Sequence, residues 1–193
     1  MSPRGRLADL AALLPEHLRT AWWGLVSPRL SEREPVVVVQ AVIRDERGRV
    51  LLGLRSDPRG LELPGGHPEP GEDELTALRR EVREETGLRI EVVGPVGVFH
   101  RTGFRPHEAR VYLCRPVGGG LRTGPESTRL GWFDPARPPR ELLPWYRLPL
   151  REALSGGGPV ERVEHQGLGA IVETLGIDLR MRLRGESGLP RPS

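Results

Sequence analysis

The chain contains no lysine, and all 29 of its basic residues are arginine. Because guanidinium stays protonated at any accessible pH, the sequence pI is about 9.9 although the net charge at pH 7 is only +3. Without lysine, no lysine nucleophile or Schiff base is available for catalysis. The arginines are scattered and form no basic stripe, so we expect no sequence-specific nucleic-acid partner.

Cysteine is also nearly absent. The single Cys114 excludes an intrachain disulfide and a cysteine-based metal cluster. Its apolar neighbourhood, ARVYLCRPV, predicts a small buried side chain. No apolar run approaches the roughly 20 residues that span a bilayer, and the N-terminus lacks the unbroken apolar core and cleavage site of a secretory signal. We therefore expect a cytoplasmic protein with no membrane partner.

The patterning divides the 193 residues into three segments. Residues 1–34 carry leucines and tryptophans at helical spacing and predict an N-terminal helical extension with a linker. Residues 35–155 predict the main domain, of α+β class, with helices sandwiching a mixed β-sheet. Residues 156–193 predict a C-terminal helical segment, which includes VEHQGLGAIVETLG, and a disordered tail. The end segments would serve homodimer formation or cover the cleft, and the sequence leaves both open.

One helix is predicted with particular clarity, at ELTALRREVREETG. Leu75, Leu78 and Val82 recur at helical spacing and form its expected core-facing stripe. Gly87 follows as the expected C-terminal cap. The helix comes directly after a glycine- and proline-rich loop, LELPGGHPEPGE, which lets the backbone approach a ligand closely.

Three glutamates of this helix lie beside its apolar stripe. At 100° per residue, with Leu75 at zero, Glu81, Glu84 and Glu85 fall at about 240°, 180° and 280°. Like charges at these spacings repel, and half-buried negative charge without a partner is costly. Carboxylates at i, i+3 and i+4 converge on a hard divalent cation. Taken alone, the stripe has two interpretations, a metal site and a solvated acidic face.

The residues before and within the helix extend this pattern. Gly66, five residues, Glu72, seven residues and then REVREETGL at 80–88 resemble the Nudix box of the Nudix hydrolase superfamily at every defining position. The resemblance extends more loosely over 35–150. It implies the Nudix fold with a loop–helix–loop motif, two or three Mg²⁺ or Mn²⁺ ions, and hydrolysis of a nucleoside diphosphate linked to another moiety.

The resemblance also implies roles for individual residues. Arg80 would hold the carboxylates in place, as one of the catalytic residues together with Glu81 and Glu85. The general base would be Glu81 or a glutamate of a later loop, for which Glu126 is the candidate. The implied metal ligands are the Gly65 carbonyl, Glu81, Glu84 and Glu85, and the supporting residues are Gly66, Glu72 and Gly87.

The sequence predicts the substrate less specifically than it predicts the metal site. ADP-ribose or a nucleotide sugar is favoured, and the alternatives are a (d)NTP or dinucleoside polyphosphate pyrophosphatase and a nucleotide-sensing domain without catalysis. Sensors of that kind usually lose carboxylates of the box, which this chain keeps. The residues expected to meet phosphate, ribose or base are Arg55 on the second strand and His100, Arg101, Phe104, Arg105 and His107 in or beside the loop HRTGFRPH.

Overall fold

The computed structural model describes residues 36–103, 106–124 and 127–184, without the side chains of residues 127 and 128. The predicted N-terminal extension, the C-terminal tail from 185, and the candidates Phe104, Arg105 and Glu126 lie outside the described residues. The elements, in chain order, are β1 (Val37–Ile43), β2 (Val50–Ser56), β3 (Arg59–Glu62), β4 (Gly65–Gly66), α1 (Glu74–Thr86), β5 (Leu88–Gly103), β6 (His107–Gly119), β7 (Ser127–Phe133), α2 (Pro144–Ser155), β8 (Val160–Gln166) and α3 (Leu168–Arg184).

The strands form two sheets. The larger is mixed and has the order β4-β1-β6-β5-β8, in which β1 runs parallel to β6 and β8 runs parallel to β5. The smaller is antiparallel, with the order β3-β2-β7. Two pairings position the site: Gln40 of β1 lies opposite Gly65 of β4, and Arg101 of β5 lies opposite Glu164 of β8.

Strand β1 separates two apolar cores, because alternate residues of a strand face opposite sides of the sheet. Val39, Ala41 and Ile43 pack in one buried cluster with residues of α1, whereas Val42 belongs to a second cluster with residues of β2, α2 and α3. Cys114 is 1% exposed in the first cluster, as its apolar neighbourhood predicts. The result is a mixed α/β sandwich, which confirms the expected fold class.

Helix α1 has defined caps at both ends. The Asp73 side chain accepts hydrogen bonds from two backbone N–H groups of the first turn, and Gly87 ends the helix with φ 74°, in the left-handed region that favours glycine. The buried stripe is Ala77, Leu78, Val82 and Thr86. Leu78 and Val82 are buried as predicted, whereas Leu75 is only half-buried.

The C-terminal segment differs from its prediction. Residues 160–166, part of which the pattern VEHQ places in a helix, instead form strand β8. The helical interpretation failed because pairing with β5, which is distant in sequence, decides this strand. In α3, Ile177 and Met181 are buried in the second cluster, the one that contains Val42. Among the described residues, no helix is long and apolar enough to cross a membrane.

Candidate active site

A cavity of about 560 Å³ opens between the loop before α1, the strand β2 and the two C-terminal helices. It lies within the size range of small-molecule sites, which span roughly 300 to 1,000 Å³. Residues from the whole length of the domain meet in its lining. They include Gly65, Gly66, Glu81 and Glu85 of the box, Arg55, Glu62, Arg101, His107, Trp145 and Tyr146, and Gln166, Ile171, Thr174 and Leu175 of the C-terminal segment.

Two glycines bring the chain close to the carboxylates of α1. The Gly65 N–H donates to Glu85 Oε2 at 2.9 Å. At φ 151°, a Cβ on Gly65 would lie 2.1 Å from the backbone oxygen of Val39, and a Cβ on Gly66 would lie 2.4 Å from the carboxyl carbon of Glu81. The backbone therefore requires glycine at position 65, whereas at position 66 any larger residue would displace the carboxylate of Glu81.

Arg80 joins the loop to the helix. Its Nε and Nη2 donate to the two oxygens of Glu72 at 3.0 and 2.8 Å. Its Nη1 donates to Glu81 at 3.1 Å and to Glu84 at 3.4 Å. Hydrogen bonding to Glu72 raises the pKa of Arg80, and hydrogen bonding to Arg80 lowers the pKa of Glu72. Arg80 and Glu72 therefore stay charged and hold the loop against the helix.

The three glutamates of the predicted stripe have different environments. Glu81 and Glu85 line the cavity. The side chain of Glu84 is 59% exposed, against 18% for Glu81. Gly124 N–H donates to the Glu85 carbonyl at 3.1 Å, so the loop after β6 crosses the end of α1.

The oxygens of this region suit a divalent cation. Among the described residues, no three acidic, histidine or cysteine side chains form a metal cluster by themselves. Mg²⁺ is commonly held by one or two carboxylates, with water and substrate phosphate completing its shell. Glu81 and Glu85 supply such carboxylates in one cavity, and Gly66 leaves room beside Glu81 where a Cβ would collide. The residues present therefore fit the cation that the sequence predicts.

A second polar group, of which the sequence analysis predicts only Arg55, also lines the cavity. Glu62 is 7% exposed and accepts from Arg55 Nη1 and from the hydroxyl of Tyr146, both at 3.3 Å. Burial raises the pKa of Tyr146 above its ordinary value, so this residue is a neutral donor. A glutamate within the apolar stretch LELP was the available signal for a buried carboxylate. No local sequence pattern indicated that Tyr146 would line the cavity.

Arg101 lies at the cavity wall and is only 2% exposed. Its Nη2 donates to the Trp145 carbonyl at 2.6 Å, and its Nη1 lies 2.9 Å from His107 Nε2. Because a guanidinium only donates, Nε2 of His107 accepts this bond. Burial lowers the pKa of Arg101 from its ordinary value. Of the sequence candidates, Arg55, Arg101 and His107 line the cavity. His100 instead pairs with Glu161 and is not among the cavity residues.

Comparison with known proteins agrees with this geometry. The model of the NUDIX domain family matches residues 34–153. A "MutT-like protein" of Streptomyces ambofaciens is 41% identical over 131 residues, 68% of this chain and 84% of that protein. "8-oxo-dGDP phosphatase NUDT18" of Mus musculus is 39% identical over 114 residues, 55% of this chain and 33% of that protein. The crystal structure of an ADP-ribose pyrophosphatase from Streptococcus suis 89-1591 is 24% identical, covers 68% of this chain and 100% of that chain, and gives a TM-score of 0.55.

The chain therefore belongs to the NUDIX domain family, as a Nudix-type pyrophosphohydrolase. Enzymes of this family use divalent metal ions, in agreement with the oxygen-rich cavity wall formed by Glu81 and Glu85.

Proposed function

We propose that this protein hydrolyses the diphosphate linkage of a nucleoside diphosphate joined to another moiety, with ADP-ribose or a nucleotide sugar as the favoured class. The observation that carries the proposal is a single cavity lined by Glu81 and Glu85 and also by Arg55 and Glu62. The diphosphate would lie at the first pair of residues, and a hydroxyl-bearing group at the second.

Glu81, Glu84, Glu85 and the Gly65 carbonyl would hold two or three Mg²⁺ or Mn²⁺ ions. Bound divalent ions neutralise a diphosphate and lower the pKa of water. Arg80 keeps Glu81 oriented through its hydrogen bond, while its paired bonds to Glu72 fix the loop. Glu81 would accept the proton of the attacking water. Glu126 is the alternative base.

The second polar group supports a sugar in preference to a third phosphate. A carboxylate accepts hydrogen bonds from sugar hydroxyls but repels phosphate. Glu62 is such a carboxylate, and it keeps Arg55 beside it at the cavity. Arg101 adds a buried positive charge to the wall. Phe104 and Arg105 remain candidates for stacking and phosphate contact.

A second candidate is hydrolysis of a deoxynucleoside di- or triphosphate. The mouse relative is named an 8-oxo-dGDP phosphatase and is 39% identical over 114 residues. Such a substrate carries one deoxynucleoside and no second sugar on the far side of its phosphates.

One assay separates these functions. The full chain is incubated with Mg²⁺ or Mn²⁺ and ADP-ribose, nucleotide sugars, NADH, coenzyme A, dinucleoside polyphosphates or (d)NTPs, and the products are separated by chromatography. Glu85→Gln keeps an acceptor for the Gly65 N–H but loses the charge. Glu91→Gln, whose carboxylate is exposed and paired with Arg115, is the matched control.

We expect metal-dependent cleavage of ADP-ribose or a nucleotide sugar that falls by at least about 100-fold in Glu85→Gln and persists in Glu91→Gln. Preferential cleavage of (d)NTPs selects the second candidate. Absence of turnover with every compound, together with a rise in thermal stability on adding one, would replace hydrolysis with nucleotide sensing.

The expected homodimer stays a prediction. If the tryptophan-bearing extension forms its interface, removal of residues 1–30 yields a monomer in light scattering, and an unchanged dimer contradicts that role.

A further inference from the structure

The wall formed by β8 and α3 carries a side chain that the proposed chemistry leaves without a partner. Gln166 is the last residue of β8, is 7% exposed and lines the cavity. Within the described part of the chain, its Nε2 is buried and has no hydrogen-bond partner. A buried donor without an acceptor has a free-energy cost, because it has given up its hydrogen bonds to water. An acceptor supplied by a ligand would relieve this cost.

The sheet register explains why Gln166 faces the cavity. Gln166 pairs with Gly103 in the same parallel ladder in which Glu164 pairs with Arg101. Residues two apart on a strand face the same side, so Gln166 projects on the side of Arg101, which also lines the cavity. A Cβ on Gly103 would lie 2.5 Å from the Gln166 carbonyl oxygen, so the two strand ends are closely packed.

The surroundings of Gln166 define the kind of group that fits. Ile171 and Leu175 of α3 supply apolar surface, and Thr174 gives its hydroxyl proton to the Ala170 carbonyl at 2.7 Å. The buried guanidinium of Arg101 adds further N–H donors to the same wall. An apolar surface with donors at its edge suits a heteroaromatic ring that carries a carbonyl oxygen or ring nitrogen.

We propose that this wall binds the nucleobase of the substrate and that Gln166 Nε2 donates a hydrogen bond to an acceptor on its edge, which makes Gln166 a specificity-determining residue. This inference rests on the proposed function for the identity of the ligand as a nucleotide. Residues 160–184 that build the wall lie beyond the match to the family model, which ends at residue 153. Base selection would therefore belong to a segment added to the catalytic domain.

The test uses Gln166→Met, which keeps the length of the side chain and removes its donor. Val163→Met, on the opposite face of β8 and 74% exposed, is the matched control. Binding of AMP, GMP, CMP, UMP and ribose 5-phosphate is measured by calorimetry without metal, so that the readout does not depend on hydrolysis. Hydrolysis of the matching nucleotide sugars with Mg²⁺ is measured in parallel, and thermal unfolding monitors folding.

We expect the wild type to bind at least one nucleoside monophosphate more tightly than ribose 5-phosphate. Gln166→Met should weaken that binding about tenfold and reduce the preference among bases, while Val163→Met leaves both unchanged. In hydrolysis, KM for the preferred base should rise with little change in kcat, because the contact is remote from the diphosphate.

Equal losses for all bases, or an unchanged preference in Gln166→Met, would overturn the inference and leave hydrolysis by the wild type standing. If the wild type cleaves no compound, the proposed function fails. In the binding data, a loss of base preference in Gln166→Met would then still support the inference, and an unchanged preference or equal losses for all bases would still overturn it. A variant that unfolds early is replaced by Gln166→Glu, which keeps the shape and removes the donor. The same loss of base preference supports the inference, and retained preference overturns it.

Discussion

Arg80 and Glu72 are joined by two hydrogen bonds, from Nε to Oε1 at 3.0 Å and from Nη2 to Oε2 at 2.8 Å. The pair connects α1 to the loop before it, and a third nitrogen of the same guanidinium contacts Glu81. A planar guanidinium makes this arrangement in a way that a lysine ammonium cannot. The pair therefore ties the position of the Glu81 carboxylate to that of the loop.

Arg80→Lys tests this geometry. It keeps the charge but removes the paired donors, so we expect kcat/KM to fall by about 10- to 100-fold, as when partners that orient metal ligands are lost. Arg79→Lys, at a neighbouring exposed position, is the control and should retain activity within about twofold. Steady-state kinetics on the preferred substrate provide the measurement. Equal activities of the two variants would remove Arg80 from any positioning role.

Gly66→Ala tests the space beside Glu81. The added Cβ would lie 2.4 Å from the carboxyl carbon, and the flexible end of Glu81 would have to move. We expect a loss of activity of at least about tenfold with little change in the free energy of unfolding, because a side-chain end moves and the backbone stays. Gly94→Ala, where the added atom meets nothing within 4 Å, is the matched control. A fully active Gly66→Ala enzyme would contradict the placement of Glu81.

The attachment of α3 to β3 depends on a buried carboxylate. Asp178 is 1% exposed and accepts from the Arg59 backbone N–H at 2.7 Å and from Arg182 Nε at 2.8 Å. Asp178→Ala removes the acceptor of the part-buried Arg59 N–H and of Arg182 Nε, while Arg182 keeps its pair with Asp57, so the free energy of unfolding should fall by about 1–3 kcal/mol. Glu173→Ala breaks a pair whose side chains are 43% and 41% exposed and should cost under about 1 kcal/mol. Urea denaturation measures both, and similar costs would refute the buried role of Asp178.

The lowered pKa of Glu72 predicts a pH dependence. Its hydrogen bond with Arg80 favours the charged carboxylate, so the folded-state pKa lies below the ordinary value of 4.5. The unfolded chain then binds more protons between the two pKa values, so this contribution to stability is present above pH 4.5 and is lost as the pH falls through the folded-state pKa. Carboxyl NMR titration should give a value below 4.5 for Glu72, and a higher value in Arg80→Met. A Glu72 that titrates at 4.5 or above in the wild type would contradict the pairing.

The part of the cavity wall that α1 and its loop form is local in sequence and was therefore predictable. The glutamates of α1 occur within one helix, and the spacing of a helix fixes which residues share a side. Asp73 and Gly87 cap the helix through contacts within a few residues. In the structure, Leu75 is less buried than its helical spacing indicates.

The rest of the cavity wall was predicted only in part: Arg55, Arg101 and His107 were sequence candidates and line it, but their contacts were not predictable from local patterns. The sequence pattern places Arg101 in a loop, but β5 extends to Gly103 and Arg101 is buried within it. Glu62 accepts a hydrogen bond from Tyr146, which lies 84 positions later in the chain. Gln166 lines the cavity because residues 160–166 form a strand, whereas the sequence pattern predicts a helix for part of them. These contacts depend on long-range strand pairing and helix docking.

The sequence by itself therefore determined the family, the acidic helix α1 and the glutamates that share one side of it, because a helix, its caps and its loop are specified by near neighbours. Only the tertiary structure decided what faces that side. Pairing of β8 with β5 and packing of α3 against β3 bring Gln166 and Thr174 into the same cavity as Glu85. Such contacts are selected by burial of the whole core, and no short stretch of sequence contains that information.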